Sequence, residues 1–65
     1  MTREELLDNL YSIVLQYRTT QKEMGRIEEG GKMGTQYWRQ LNALCFRFES
    51  EIDSLLEKIM NAPKE

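Results

Sequence analysis

Four carboxylates fall close together near the end of the chain, at Glu49, Glu51, Asp53 and Glu57. Carboxylates gathered in space are the donors that a hard divalent cation takes. Their spacing on a helix works against gathering, because only positions three or four apart share a face. Asp53 therefore faces with Glu49 and with Glu57, and Glu51 points elsewhere. The expected result is a solvated acidic face without a metal. A di-iron centre of the helical-bundle kind would want Glu-x-x-His, and the chain has no histidine. Cys45, the one cysteine, stands on an apolar seam, where a thiol serves as a small inert hydrophobe.

Catalysis fails on inventory. Histidine is absent, no Cys-x-x-Cys occurs, and the break Glu29-Gly30-Gly31-Lys32-Met33-Gly34 lacks the lysine and hydroxyl spacing of a phosphate-cradling loop. The chain is expected not to be an enzyme, to use no cofactor and to take no small-molecule substrate.

Cations offer a different chemistry. Arg18, Lys22 and Arg26 recur at i, i+4, i+8 and form a short basic ridge, suited to phosphates of RNA or DNA or to an acidic partner surface. The same residues also suit pairing within the helix, Lys22 and Arg26 with Glu23, Glu28 and Glu29, and compensation of the dipole at a helix C-terminus. Both readings stand at this point.

Two apolar stripes must position all of these groups. The first is Leu6, Leu10, Ile13, Tyr17, Thr20, Met24, Ile27; the second is Trp38, Leu41, Cys45, Phe48, Ile52, Leu55, Ile59. Alternating steps of four and three keep one helical face against a partner helix. The predicted elements are a helix over about 3–28, a loop over 29–35 and a helix over about 36–61, in one domain. Thr2 with Glu5 fits a capping box at the first start, and Thr35 is the predicted N-cap of the second. Gly25 weakens the last turns of the first helix, Gly30-Gly31 supplies residues for its end, and Ala62-Pro63 ends the second. A short connection makes the helices antiparallel. Trp38 is expected as a core anchor with its indole N–H turned to the loop or to solvent.

Size then forces an association. At 65 residues a lone core is marginal, and neither an internal disulfide nor a zinc site can be built. Leu7, Val14, Tyr37, Leu44, Leu56 and Met60 broaden the apolar faces beyond what one neighbour covers. The expected architecture is all-α, an antiparallel two-helix hairpin dimerising into a four-helix bundle. Tyr11, Leu15 and Phe46 lie off the seams, either in a wider oligomer interface or as an anchor patch for another protein.

Charge divides the hairpin lengthwise. In the open half, residues 1–15 and 49–65, Glu4, Glu5, Asp8, Glu49, Glu51, Asp53, Glu57 and Glu65 against Arg3, Lys58 and Lys64 leave −5. In the loop half, Arg18, Lys22, Arg26, Lys32, Arg39 and Arg47 against Glu23, Glu28 and Glu29 leave +3. The net −2 argues against a generally basic nucleic-acid binder. No apolar run approaches the roughly 18 residues of a membrane span, and the opening Met1-Thr2-Arg3-Glu4-Glu5 does not resemble a signal peptide, so a cytoplasmic protein is expected.

In length, acidity and hairpin form the chain is similar to the Rop class of plasmid RNA-binding dimers. That likeness is architectural: no run of residues is shared, and the loop here is longer. Glu49-Ser50-Glu51-Ile52-Asp53 resembles the Ser-Gln-Glu-Leu-Asp motif of short sporulation phosphatases. It lacks the leading serine and stands at another distance from the loop, so no phosphatase role is carried onto these positions. The expected function is that of a small accessory or regulatory protein acting by protein–protein contact as a homodimer, of the kind encoded by phages and mobile elements. The alternatives are a nucleic-acid-binding dimer using the ridge and a structural assembly subunit.

Overall fold

A computed structural model of the chain describes residues 2–62. Pro63, proposed above as a helix stop, and the charges of Lys64 and Glu65 lie outside the described residues. Helix α1 spans Arg3–Glu29 and helix α2 spans Gln36–Asn61. They pack against each other, and no strand occurs among the described residues.

Capping chemistry sets three of the four helix ends. Thr2 accepts a hydrogen bond from the Glu5 amide at 3.2 Å, and Thr35 accepts one from the Trp38 amide at 3.3 Å. Each satisfies a donor that the first turn leaves unpaired. Glu5 completes the first cap by accepting from the Thr2 hydroxyl at 3.3 Å. At the C-terminus of α1 the Lys32 amide reaches the Ile27 carbonyl and the Gly31 amide reaches that of Glu28. This is a Schellman motif, which needs a left-handed residue at its turn. Gly31 supplies it with φ of 73°, whereas Gly30 keeps a negative φ of −78°. Of the two adjacent glycines, only one is required by the backbone. Gly34, at φ 88°, then turns the chain into Thr35. The weakness expected at Gly25 does not end α1, which runs one full turn beyond it.

Every seam residue lies inward. Leu6, Leu41, Cys45, Leu55 and Ile59 are buried; Leu10, Ile13, Tyr17, Thr20, Met24, Ile27, Trp38, Phe48 and Ile52 are half-buried. Thr20 is tolerated on an apolar seam because its hydroxyl donates to the Gln16 carbonyl at 2.9 Å. Leu6, Leu55 and Ile59 form the densest cluster, with Leu10, Ile13 and Ala62 packed against it at the open end. Trp38 departs from expectation: its indole N–H is enclosed and has no hydrogen-bond partner among the described residues. An enclosed unpaired donor of this kind costs about 1–3 kcal/mol.

The molecule is a rod of 49 × 14 × 13 Å. Its radius of gyration is 14.8 Å, against about 11 Å for a compact chain of this length. Its accessible surface is 5165 Å², against roughly 4,300 Å² for a compact monomer of this mass. Two parallel cylinders can shield only the strip between them, and the excess surface follows from that shape.

Candidate interaction face

Level and side decide which residues can act together on such a rod. The level of one helix against the other is pinned at two places. The Tyr17 hydroxyl donates to the Glu49 carboxylate at 2.6 Å, and the Cys45 sulfur lies 3.4 Å from that of Met24. The Tyr17–Glu49 bond joins a residue read as apolar seam to one read as solvated face. Its signal was the antiparallel register, which is visible in sequence only once a level has been chosen. Donating that bond, with burial and the Glu49 charge adding to it, raises the Tyr17 hydroxyl above its ordinary value. Burial, and secondarily the Glu49 charge, likewise raises the Cys45 thiol, which keeps it protonated and unreactive.

Side follows from helical spacing. Leu7, Tyr11, Val14, Arg18, Gln21 and Gly25 recur on α1 by steps of four and three, and so form one stripe flanking the seam. Asn42, Phe46, Glu49, Asp53, Leu56 and Met60 repeat the same steps on α2. A groove of about 270 Å³ is lined by Gln21 and Gly25 from the first stripe and Asn42, Phe46 and Glu49 from the second. Both stripes therefore open on the same side of the hairpin.

That side is apolar toward the open end. Leu7 is 46% exposed, Tyr11 68%, Leu56 43% and Met60 84%. The other side carries Asn9 and Ser12 of α1 with Glu51, Ser54 and Lys58 of α2 around a second groove. The hairpin as a whole is thus amphipathic, over and above the amphipathicity of each helix. Of the residues that broaden the seams, Leu7, Val14, Leu56 and Met60 belong to the apolar side. Tyr37 and Leu44 fall in the heptad register of Glu51 and Lys58, on the polar side.

The off-seam trio divides. Tyr11 and Phe46 belong to the apolar side, whereas Leu15 lines a shallow groove with Gln16, Thr19, Thr20 and Phe48 on the flank of the polar one. No protein family, curated protein or solved structure matches the chain. The functional reading rests on the faces themselves.

Arg18, Lys22 and Arg26 are all exposed, and Arg26 pairs with Glu23. That contact raises the Arg26 guanidinium further above its ordinary value. Among the described residues Arg18 and Lys22 make no ion pair, so the pairing expected for Lys22 does not form. Also among the described residues, no three histidine, cysteine, aspartate or glutamate side chains come together to hold a metal. No described helix is long and apolar enough to cross a membrane.

Proposed function

We propose that this chain is a non-enzymatic accessory or regulatory protein that works through protein–protein contact as a homodimeric four-helix bundle. The observation that carries the reading is the one-sided exposure of Leu7, Tyr11, Leu56 and Met60 opposite a polar flank. A second hairpin laid on that side would convert a two-helix layer into a bundle with a central core. The surface in excess of a compact monomer, roughly 800 Å², matches what each partner contributes to a standard interface. No residue of the present core is fully shielded, which suits a chain that completes its core by association. Leu15 and Phe48, on the flank away from that side, are the candidate anchors for a different protein.

Sedimentation equilibrium tests the reading directly. The expected mass at micromolar concentration is twice the 7.7 kDa of one chain, and a stable folded monomer at the mass of one chain would overturn it. Open-ended larger species would instead favour a structural assembly subunit.

A second reading has one specific observation behind it: among the described residues Arg18 and Lys22 make no ion pair. These cations are free to meet phosphates, and a dimer would present the ridge twice. Three cations support weak, salt-sensitive retention of RNA or DNA. Filter binding at low salt decides: retention lost on Lys22→Glu with Arg26→Glu supports nucleic-acid binding, and no retention by the unaltered protein removes it.

A further inference from the structure

We infer that the two copies meet with their loops at the same end, related by a two-fold axis running along the hairpin; this rests on the dimer reading above. The inference comes from the order of residues along the apolar side. Steps of helix rise from the Tyr17–Glu49 hydrogen bond level the two stripes row by row. Leu7 stands level with Met60 and Tyr11 with Leu56. Farther along, Val14 stands level with Asp53, Arg18 with Glu49, Gln21 with Phe46 and Gly25 with Asn42.

An axis along the hairpin keeps levels and exchanges sides, so α1 of one copy lies on α2 of the other. Leu7 then covers Met60 of the second copy, and Tyr11 covers Leu56. At mid-height Arg18, which has no ion pair within its own described chain, meets Glu49 of the second copy. Gly25, where an added methyl would touch nothing within 4 Å, leaves room opposite Asn42. Apolar residues meet in the two rows nearest the open end and opposite charges meet at mid-height, while the rows of Val14 with Asp53 and of Gln21 with Phe46 set a polar group beside an apolar one.

An axis across the hairpin reverses the levels and keeps the sides. The rows of Leu7 and Tyr11 would then lie on Gly25 and Gln21, and the row of Met60 on Asn42. That arrangement keeps one apolar row, Leu56 on Phe46, in place of two, and lays Tyr11 and Met60 on carboxamides, which is unfavourable. It also sets Asp53 against Glu49 of the second copy, two carboxylates at close range. The acidic open ends argue the other way, but Glu5, Asp8 and Glu57 are exposed and lie off the two stripes, and Glu4, exposed in the register of Tyr11, stands beyond Leu7 at the end of the rod. Exposed charges of this kind are screened within about 8 Å at physiological ionic strength.

Electron–electron dipolar spectroscopy on the full chain separates the outcomes. Lys32→Cys places a spin label on the exposed loop, while the buried, protonated Cys45 resists labelling at neutral pH. Facing helices sit about 8–10 Å apart, so loops at one end give a label separation below about 30 Å. A separation near the 49 Å length of the rod overturns the arrangement and leaves the dimer standing. No intermolecular signal, together with a single-chain mass by sedimentation, overturns both. Arg3→Cys at the open end provides an independent label, expected short in the same samples and long if the axis runs across.

Discussion

Tyr17 and Cys45 both sit where the helices touch, and both hold their protons more tightly than they would in an unfolded chain. Their linkage to folding has the same sign. Each contributes stability that is complete below the unfolded value, near 8.5 for a thiol and near 10 for a phenol, and lost as pH rises through the folded value. The melting temperature should therefore fall on the alkaline side in two stages. Tyr17→Phe should flatten the upper stage and leave the lower one, because it removes the hydroxyl that donates to Glu49. Thermal melts followed by circular dichroism from pH 8 to about pH 11 check this. Parallel slopes for the variant and the unaltered protein above pH 10 would show that the bond holds nothing in solution.

At the scale of the helices, the four glycines carry unequal weight. Gly31 alone closes the Schellman motif with a positive φ, so Gly31→Ala should cost about 1–2 kcal/mol. Gly30 has a negative φ, and an added Cβ would sit 3.5 Å from the Ile27 carbonyl oxygen, an ordinary contact. Gly30→Ala should be neutral or stabilise by up to about 1 kcal/mol. Gly25 lies inside a helix with open space around it, and alanine there should stabilise α1 by about 1 kcal/mol. Urea unfolding of the three variants gives the order, and a loss at Gly30 as large as at Gly31 would contradict the backbone geometry. The helices themselves were legible in the chain because burial repeats with the helical period, and Thr2 and Thr35 announce where they start. Gly31 was not separable from Gly30, since the choice depends on which carbonyls the last turn leaves open. The amphipathic side was likewise hidden. Each stripe is plain in sequence, yet whether Tyr11 and Phe46 look the same way depends on helix handedness and antiparallel direction together. Leu15, four residues on from Tyr11, is rotated about 40° from it around α1, which carries it past the outer crest of the helix to the other flank.

For the whole molecule, the lengthwise division of charge turns the proposed arrangement into a salt dependence. The described residues keep the division found in the chain: Glu4, Glu5, Asp8, Glu49, Glu51, Asp53 and Glu57 against Arg3 and Lys58 at the open half, and an excess of cations around the loop. Copies aligned with their loops together bring the two acidic halves side by side, and the two basic halves likewise. Both juxtapositions repel, and the repulsion acts through solvent between exposed side chains, where added salt screens it. The contact between Arg18 and Glu49 of the second copy opposes this, but it is one pair per interface side against many. Self-association should therefore tighten as sodium chloride rises from about 0.05 to 0.5 M, since the Debye length falls over that range from above 10 Å to below 5 Å. Copies aligned the opposite way would set acidic halves on basic ones, and their association would weaken over the same range. Apolar burial at Leu7, Tyr11, Leu56 and Met60 is common to both and also strengthens slightly with excluded salts, so the comparison should use chloride and not sulfate. Sedimentation equilibrium at three salt concentrations reads the sign. A dissociation constant that rises with salt would place the loops at opposite ends, whatever the strength of the dimer.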